Sequence, residues 1–305
     1  MKREDFLERI RSEVLVGWPA LHTMLADWGK DLESHLSEWV IRHPREFQDA
    51  LRQSYAAGSD IGVTATQASN PFRAKPFGID DRIFELNYYS AKLAKEVTPK
   101  NHYLCGHISS SNPDFLEPVG NMTVDEVYEG YERQVVALIE GGVDLFSVGG
   151  TQLDVQVVII KVIKDLTDFP IIAASVFFKG KKGFRTMMGI DPETASRRLQ
   201  EAGADVVGFT CGLLTQSPHA SDWYPEASNL IGEIRKGYKG YMTVRPDAGV
   251  AQLIKGETVY PATPDDLAKV VPDWIDAGVR IIGGCCGTSL EHIKAISAVV
   301  KAKKQ

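Results

Sequence analysis

The sequence predicts an α/β fold, a (β/α)8 TIM barrel with an N-terminal helical extension, laid out as one domain over residues 1–305. Three observations carry this. Eight short apolar runs are separated by segments of helical periodicity, the pattern of a parallel sheet with crossover helices. Several helices end in the same joint: Glu140-Gly141-Gly142-Val143-Asp144, Glu201-Ala202-Gly203-Ala204-Asp205 and Asp276-Ala277-Gly278-Val279-Arg280. Glycine after a helix, then a buried β-branched strand, is the expected αβ connection. Finally, Cys211 and the pair Cys285-Cys286 follow strands six and eight, and such barrels place their chemistry at the C-terminal ends of strands. A doubly wound open sheet is the second choice.

The elements follow in order. A charged amphipathic helix, Arg3 to Arg11, leads into a first strand at Val14-Leu15-Val16-Gly17. From Leu21 to Ala57 the spacing of Leu32, Leu36, Trp39, Val40, Phe47, Leu51 and Tyr55 is helical, and Gly58-Ser59 ends it. Asp60 to Val63 is the second strand. Helix Arg82 to Val97 precedes strand His102 to Cys105, and helix Thr123 to Gly141 precedes strand Asp144 to Val148. Helix Leu153 to Leu166 precedes strand Pro170 to Val176, and helix Pro192 to Gly203 precedes strand Val206 to Phe209. Helix Ala227 to Gly237 precedes strand Tyr241 to Arg245, and helix Pro264 to Gly278 precedes strand Val279 to Ile282. Thr288 or Ser289 caps a last helix, Leu290 to Lys303, with Glu291 in its first turn.

Composition narrows the function. A net charge of -6 argues against nucleic acid or an anionic membrane as a main partner. No apolar run approaches membrane-spanning length, and the N-terminus has no signal-peptide character. Four cysteines, two of them adjacent, are too few for a disulfide scaffold in 305 residues, so a reduced, cytoplasmic setting is expected. A homo-oligomer is left open.

The chemistry concentrates at Ile281-Ile282-Gly283-Gly284-Cys285-Cys286-Gly287-Thr288. On a regular strand neighbouring side chains point to opposite faces, so two adjacent sulfurs do not converge. The flanking glycines lift that restriction. With Cys211 as a third thiolate, the set suits one thiophilic metal, zinc with an open fourth position. Buried structural cysteines or a redox pair are the bland alternative, and for Cys211 alone that alternative would win. Cys105 is expected to be buried and inert. His107 is expected near the barrel mouth as a proton carrier or substrate contact, or with no role. His292 is assigned a structural role, and Asp144 and Asp205 are assigned to fold stability at the opposite end of the barrel.

The stretch Gly256-Glu257-Thr258-Val259-Tyr260 through Ala262-Thr263-Pro264, then Asp276 to Thr288 and Glu291-His292-Ile293, resembles the homocysteine S-methyltransferase family. The family includes the homocysteine domain of cobalamin-dependent methionine synthase and the betaine-homocysteine methyltransferases. Asp80-Asp81-Arg82, Glu85-Leu86-Asn87, Phe115-Leu116-Glu117-Pro118 and Arg185-Thr186 through Gly189 echo its blocks as well. The resemblance implies a (β/α)8 barrel and one zinc ion per chain, held by Cys211, Cys285 and Cys286. It also implies homocysteine as the methyl acceptor.

The chain departs from the family around the amino acid pocket. The family's Asp-Gly-Ala-Met-Gly-Thr after strand one is replaced by Trp18-Pro19-Ala20-Leu21-His22-Thr23, and Pro19 removes a backbone N–H. Its Thr-Asn-Thr is Thr64-Ala65-Thr66, followed by Gln67. A Glu-Thr pair that holds the substrate ammonium is Gly149-Gly150. The Asn before the first zinc cysteine is Thr210, and the glycine-rich loop after it is Leu213-Leu214-Thr215-Gln216. Pro-Asn-Ala-Gly appears as Pro246-Asp247-Ala248-Gly249. Trp18, His22, Thr64, Thr66, His107, Gly149 and Asp247 are therefore the candidate substrate residues, with Trp18, Trp223 and Tyr224 as an aromatic wall.

Three functions are consistent with this set. The first is a zinc-dependent methyltransferase acting on a zinc-bound thiol, homocysteine by family. The second is a demethylating methyltransferase that activates a small methylated substrate and passes its methyl group to a corrinoid carried by a separate protein. The third is a zinc-bearing scaffold, which requires a fourth protein ligand such as His107 or Asp247 to close the metal.

Overall fold

The apolar runs become eight parallel strands of one sheet: β1 (Leu15–Val16), β2 (Ile61–Val63), β3 (Tyr103–Ser109), β4 (Leu145–Gly150), β5 (Ile171–Ser175), β6 (Val206–Thr210), β7 (Tyr241–Arg245) and β8 (Val279–Ile282). In this computed structural model residues 3–31, 33–215, 219 and 222–303 are described; Leu32 and Gln216, noted above, fall outside them. The sheet order is β1-β8-β7-β6-β5-β4-β3-β2, so each strand neighbours the next around the ring. Nearly every strand residue is buried, as expected where one face meets the barrel interior and the other meets helices.

The ring is nearly closed, and the seam between β1 and β2 is held by one residue. The Asp60 N–H donates to the Val16 carbonyl at 2.7 Å, and the Val16 N–H donates to the Asp60 carboxylate at 2.8 Å. Asp144 and Asp205 repeat the device. Their carboxylates accept the N–H of Leu104 at 2.8 Å and of Ile171 at 2.9 Å, each on the preceding strand. Each of the three also meets a base: Arg9 for Asp60, Lys95 for Asp144 and Arg3 for Asp205. The fold-stability role expected for Asp144 and Asp205 is thus a specific one. They satisfy a backbone donor near the start of the preceding strand.

The helices α1 (Arg3–Ser12), α2 (Leu21–Asp27), α3 (Leu36–Arg42) and α4 (Pro44–Ala57) precede β2. Helix α1 is the N-terminal extension: it buries Phe6 and Ile10, with Phe6 edge-on to Tyr103 at 5.2 Å, and its Arg3 and Arg9 reach the aspartates of the strand starts. The helical segment expected from Leu21 to Ala57 divides into three helices, α4 being restarted by Pro44 at its first turn. A short turn of helix, α5 (Pro71–Ala74), precedes α6 (Ile83–Lys95) and α7 (Val124–Glu140). The ring then carries α8 (Leu153–Leu166), α9 (Pro192–Ala202), α10 (Trp223–Gly237), α11 (Pro264–Asp276) and α12 (Leu290–Lys303). Capping is local chemistry: Thr123 with Glu126 and Thr263 with Asp266 form capping boxes, and Asp191 caps α9 by accepting the Thr194 N–H at 2.8 Å.

Three local expectations are corrected. Strand β3 continues to Ser109, so His107 lies within a strand rather than beyond its end. Thr288 does not serve the last helix. Its hydroxyl donates to the Cys285 carbonyl at 2.6 Å, and Ser289 is the residue that meets His292 at the helix start. Two short hairpins, Phe178–Gly180 with Gly183–Arg185 and Gln252–Ile254 with Glu257–Val259, add strands that lie outside the barrel.

Candidate metal centre and its cavity

Strand β6 ends at Thr210 and the chain turns at once, with Cys211 at φ 54° and Gly212 at φ 102°. A left-handed cysteine costs about 1–2 kcal/mol, and here the Cys211 N–H is anchored on the Arg245 carbonyl at 3.1 Å. Gly212 admits no side chain, since a Cβ there would stand 2.2 Å from the Phe177 carbonyl oxygen. This turn carries the Cys211 sulfur across the end of β7 toward β8.

The second arm is built from β8. The Gly283 N–H donates to Val244 and the Gly284 N–H to Trp18, so the glycines thread between the ends of β7 and β1. The Cys285 N–H then donates to the Pro246 carbonyl at 2.9 Å, and the Cys286 N–H donates to the Asp247 carboxylate at 2.9 Å. Gly287, at φ 75°, closes the turn; a Cβ there would lie 2.0 Å from the Tyr260 ring. Adjacent side chains that a strand would oppose thus face one point. The Cys211 sulfur is 2.8 Å from that of Cys285 and 3.6 Å from that of Cys286. Asp247 completes the group: its carboxylate and the three sulfurs lie within 4.8 Å of one another.

Four acids this close resist ionising together. Hydrogen bonding with Cys285 and Cys286 drives the Cys211 thiol up, while the thiols of Cys211 and Cys285 push Cys286 down to about 4. Burial, then Cys285, holds the Asp247 carboxyl well above the usual carboxylate range. A divalent cation at their centre removes the conflict, because its charge favours every ionised ligand. Three thiolates select a soft, tetrahedral ion such as zinc. Zn–S bonds of about 2.3 Å in a tetrahedron set sulfurs about 3.8 Å apart; Cys211 and Cys286 are near that spacing, Cys211 and Cys285 are closer and would have to spread, and the donor types suit such an ion.

Beside the sulfurs lies a cavity of about 120 Å³, bordered among others by Trp18, Pro19, His22, Thr64, Gln67, His107, Arg245, Cys285 and Cys286. Four of the candidate substrate residues, Trp18, His22, Thr64 and His107, border it. Thr66 does not. Its hydroxyl donates to the His107 carbonyl at 2.9 Å and pairs with the Thr64 hydroxyl at 2.6 Å, tying β2 to β3. Gly149, one residue before the end of β4, accepts the Ser110 N–H on its carbonyl and does not border the cavity, and Asp247 faces the sulfurs rather than the cavity. His107 is partly buried at the cavity's edge, and burial and then Arg245 push its imidazole down to about 3. A neutral imidazole near pH 7 argues against the proton-carrier role. Cys105 is buried outside the cluster, its thiol raised by burial. His292 is bonded on both ring nitrogens, to Ser289 and to the Ala262 carbonyl.

Of the aromatic wall, only Trp18 borders the cavity. Trp223 is buried with its indole N–H on the Asp247 carbonyl at 2.8 Å, and Tyr224 packs on Trp274 in the helical shell. The residue that sequence reasoning missed is Arg245. It is 3% exposed, lies under the Trp18 ring at 4.1 Å, and donates to the Thr210 hydroxyl at 3.0 Å. A permanent charge as the last residue of a strand, in Thr243-Val244-Arg245-Pro246, was the available signal.

No helix among the described residues is long and apolar enough to cross a membrane. Comparison with known proteins gives a consistent picture. The chain is 24% identical to a methionine synthase of Mycobacterium leprae over 97% of its own length, and spans 25% of that protein. Its fold matches the metallated form of the homocysteine methyltransferase MmuM from Escherichia coli with a TM-score of 0.72 at 18% identity, covering 94% of this chain and 96% of that one. A methyltransferase from Methanosarcina mazei matches with a TM-score of 0.60 at 10% identity, covering 99% of both chains. The family model for homocysteine S-methyltransferase matches residues 17–300, which include both cysteine arms and most of the barrel, and the chain belongs to that family of methyltransferases.

Proposed function

We propose that this chain transfers a methyl group to or from a small thiol bound beside Cys211, Cys285 and Cys286, with one zinc ion held by those three residues. Homocysteine is the acceptor that the family implies. The observation that carries the reading is the convergence of three sulfurs from two strand ends on one point next to a cavity.

Bound zinc would keep a substrate sulfur deprotonated at neutral pH while leaving it nucleophilic. The remaining work falls to the chain. The turns at Gly212 and Gly287 aim the cysteines, and the Arg245 and Pro246 carbonyls fix their backbones from β7. Asp247 is the one non-sulfur donor in the group, so it is the ligand that a substrate sulfur would replace on the ion. Trp18 and Pro19 border the cavity and give it an apolar side next to the thiolate. Zinc-edge X-ray absorption with and without a bound thiol tests the reading. A fourth sulfur neighbour appearing on addition of thiol supports it, and unchanged coordination across a panel of thiols contradicts it.

A second reading is favoured by one observation: among the described residues no carboxylate borders the cavity, so an amino acid's ammonium group finds no partner among them. In this reading the methyl group leaves a small methylated compound for a corrinoid protein. Mixing the protein with a cob(I)alamin-loaded carrier and candidate methyl compounds decides it, and an unchanged corrinoid spectrum discards it.

A further inference from the structure

We propose that Arg245 makes the cavity a site for a small organic anion without an ammonium group, a mercapto- or methylthio-carboxylate rather than an amino acid. The inference deepens the preceding reading and rests on it in one respect, that the cavity beside the cysteines is where substrate binds.

The charge inventory of the cavity points this way. Among its bordering residues Arg245 is the only one with a permanent charge, and none is acidic. Asp247 is turned to the sulfurs, where it accepts the Cys286 N–H. A substrate ammonium would lose its water and gain no carboxylate, while standing near a guanidinium of like sign. An anion meets the opposite situation.

Arg245 is also short of partners. Of its three guanidinium nitrogens, Nη2 donates to Thr210, and neither Nε nor Nη1 has an acceptor. Buried arginines are retained where their donors are met by carboxylates or other oxyanions, and a half-satisfied one is costly. The sulfurs and Asp247 lie near enough to be felt electrostatically but accept no hydrogen bond from it. Trp18 covers one face of the guanidinium, which holds the plane in place and leaves its edges to donate.

Gly149 lies behind the wall beside Arg245 without bordering the cavity: a Cβ there would meet His107 Cε1 and the Thr210 methyl group at 3.5 Å, an ordinary contact. Thr210 is the residue that holds Arg245. His107 Nδ1, in the same wall, has no partner either. Unpartnered polar atoms therefore border the same cavity as Cys285 and Cys286, beside which the thiol end of the molecule would sit. A cavity of about 120 Å³, partly open to solvent, suits a small occupant.

Calorimetry on the zinc-loaded protein tests this with four probes. Homocysteine carries thiol, carboxylate and ammonium; 4-mercaptobutanoate lacks only the ammonium, and 3-aminopropane-1-thiol lacks only the carboxylate. The fourth, 4-(methylthio)butanoate, has its sulfur capped. We expect 4-mercaptobutanoate to bind about tenfold tighter than homocysteine or better, and the aminothiol to bind most weakly, the scale of one charge-assisted hydrogen bond. Arg245→Gln should remove the preference for the carboxylates, and Arg245→Lys should restore part of it. Zinc content and the unfolding midpoint of each variant separate this from misfolding, and the wild-type ranking decides the matter alone if neither variant folds. Equal affinity for all thiols, tighter binding of homocysteine, or no binding of either mercapto- or methylthio-carboxylate overturns the proposal. Binding of both carboxylates with no change at the zinc edge would uphold it while removing the thiol reading.

Discussion

Replacing Gly212 by alanine should disable the metal centre more than it destabilises the fold. The perturbation is one methyl group, 2.2 Å from a backbone oxygen that has no free rotor to move aside. Two costs add. A non-glycine residue at φ 102° carries about 1–2 kcal/mol, and forcing a methyl into a filled space carries about 1–3 kcal/mol. The sum is roughly 2–5 kcal/mol. The cheapest relief is to rotate the Cys211–Gly212 turn out of its left-handed conformation, which swings the sulfur away from Cys285 and Cys286. Expressed in zinc affinity, that strain is roughly 30- to 4,000-fold at about 1.4 kcal/mol per factor of ten. Competition with a chromophoric chelator measures it, and urea unfolding of the metal-free protein measures the fold separately. Gly180→Ala, in the neighbouring hairpin where nothing lies within 4 Å of the new methyl, serves as control and should change neither. A Gly212→Ala protein with wild-type zinc affinity would refute the claim that this turn aims Cys211.

Other outcomes follow from the same contacts. Asp60→Ala leaves the Val16 N–H without its acceptor at the barrel seam, and should cost about 1–3 kcal/mol in urea unfolding; no loss would mean the seam is held elsewhere. Hydrogen bonding from Thr194 depresses the Asp191 carboxyl in the folded state. Its stabilisation is therefore complete above the unfolded pKa of about 4 and is lost as pH falls through the lower folded value. Asp191→Asn keeps a capping oxygen and should flatten the acid limb of the stability curve below pH 4 without changing stability at pH 7; an unchanged acid limb counts against the cap's share. His107→Gln should leave the shape of the pH–rate profile between pH 5 and 8 unaltered, because burial keeps the imidazole neutral there. Disappearance of an inflection in that range would restore His107 as a proton carrier.

The barrel was legible because its strands are buried on both faces and its helices on one, so periodicity and glycine joints locate both. From β2 to α12 the eight-strand alternation lies within a few residues of expectation, with α5 unexpected and α10 beginning earlier, at Trp223, whose indole meets the Asp247 carbonyl; before β2 the one helical segment expected is three helices. The cysteine arms were legible for a different reason, since adjacent cysteines wrapped in glycine have few other uses. What was hidden depends on neighbours distant in sequence. Asp60, Asp144 and Asp205 look like ordinary loop acids until each is seen accepting an N–H of the preceding strand. Thr66 looks like a substrate contact until its hydroxyl is found on the His107 carbonyl. Arg245 ends a strand in a pattern that predicts an exposed charge, and only the closing of the ring places it under Trp18. The hairpins were missed because three-residue strands with exposed, mixed faces leave no periodic trace.

Metal analysis of anaerobically purified protein, wild type and with each cysteine changed in turn to serine, tests the central claim most directly. One zinc per wild-type chain, retained in Cys105→Ser and lost in Cys211→Ser, Cys285→Ser and Cys286→Ser, is the predicted result. Wild-type protein without stoichiometric zinc, or full zinc retention in the Cys211 variant, would contradict it.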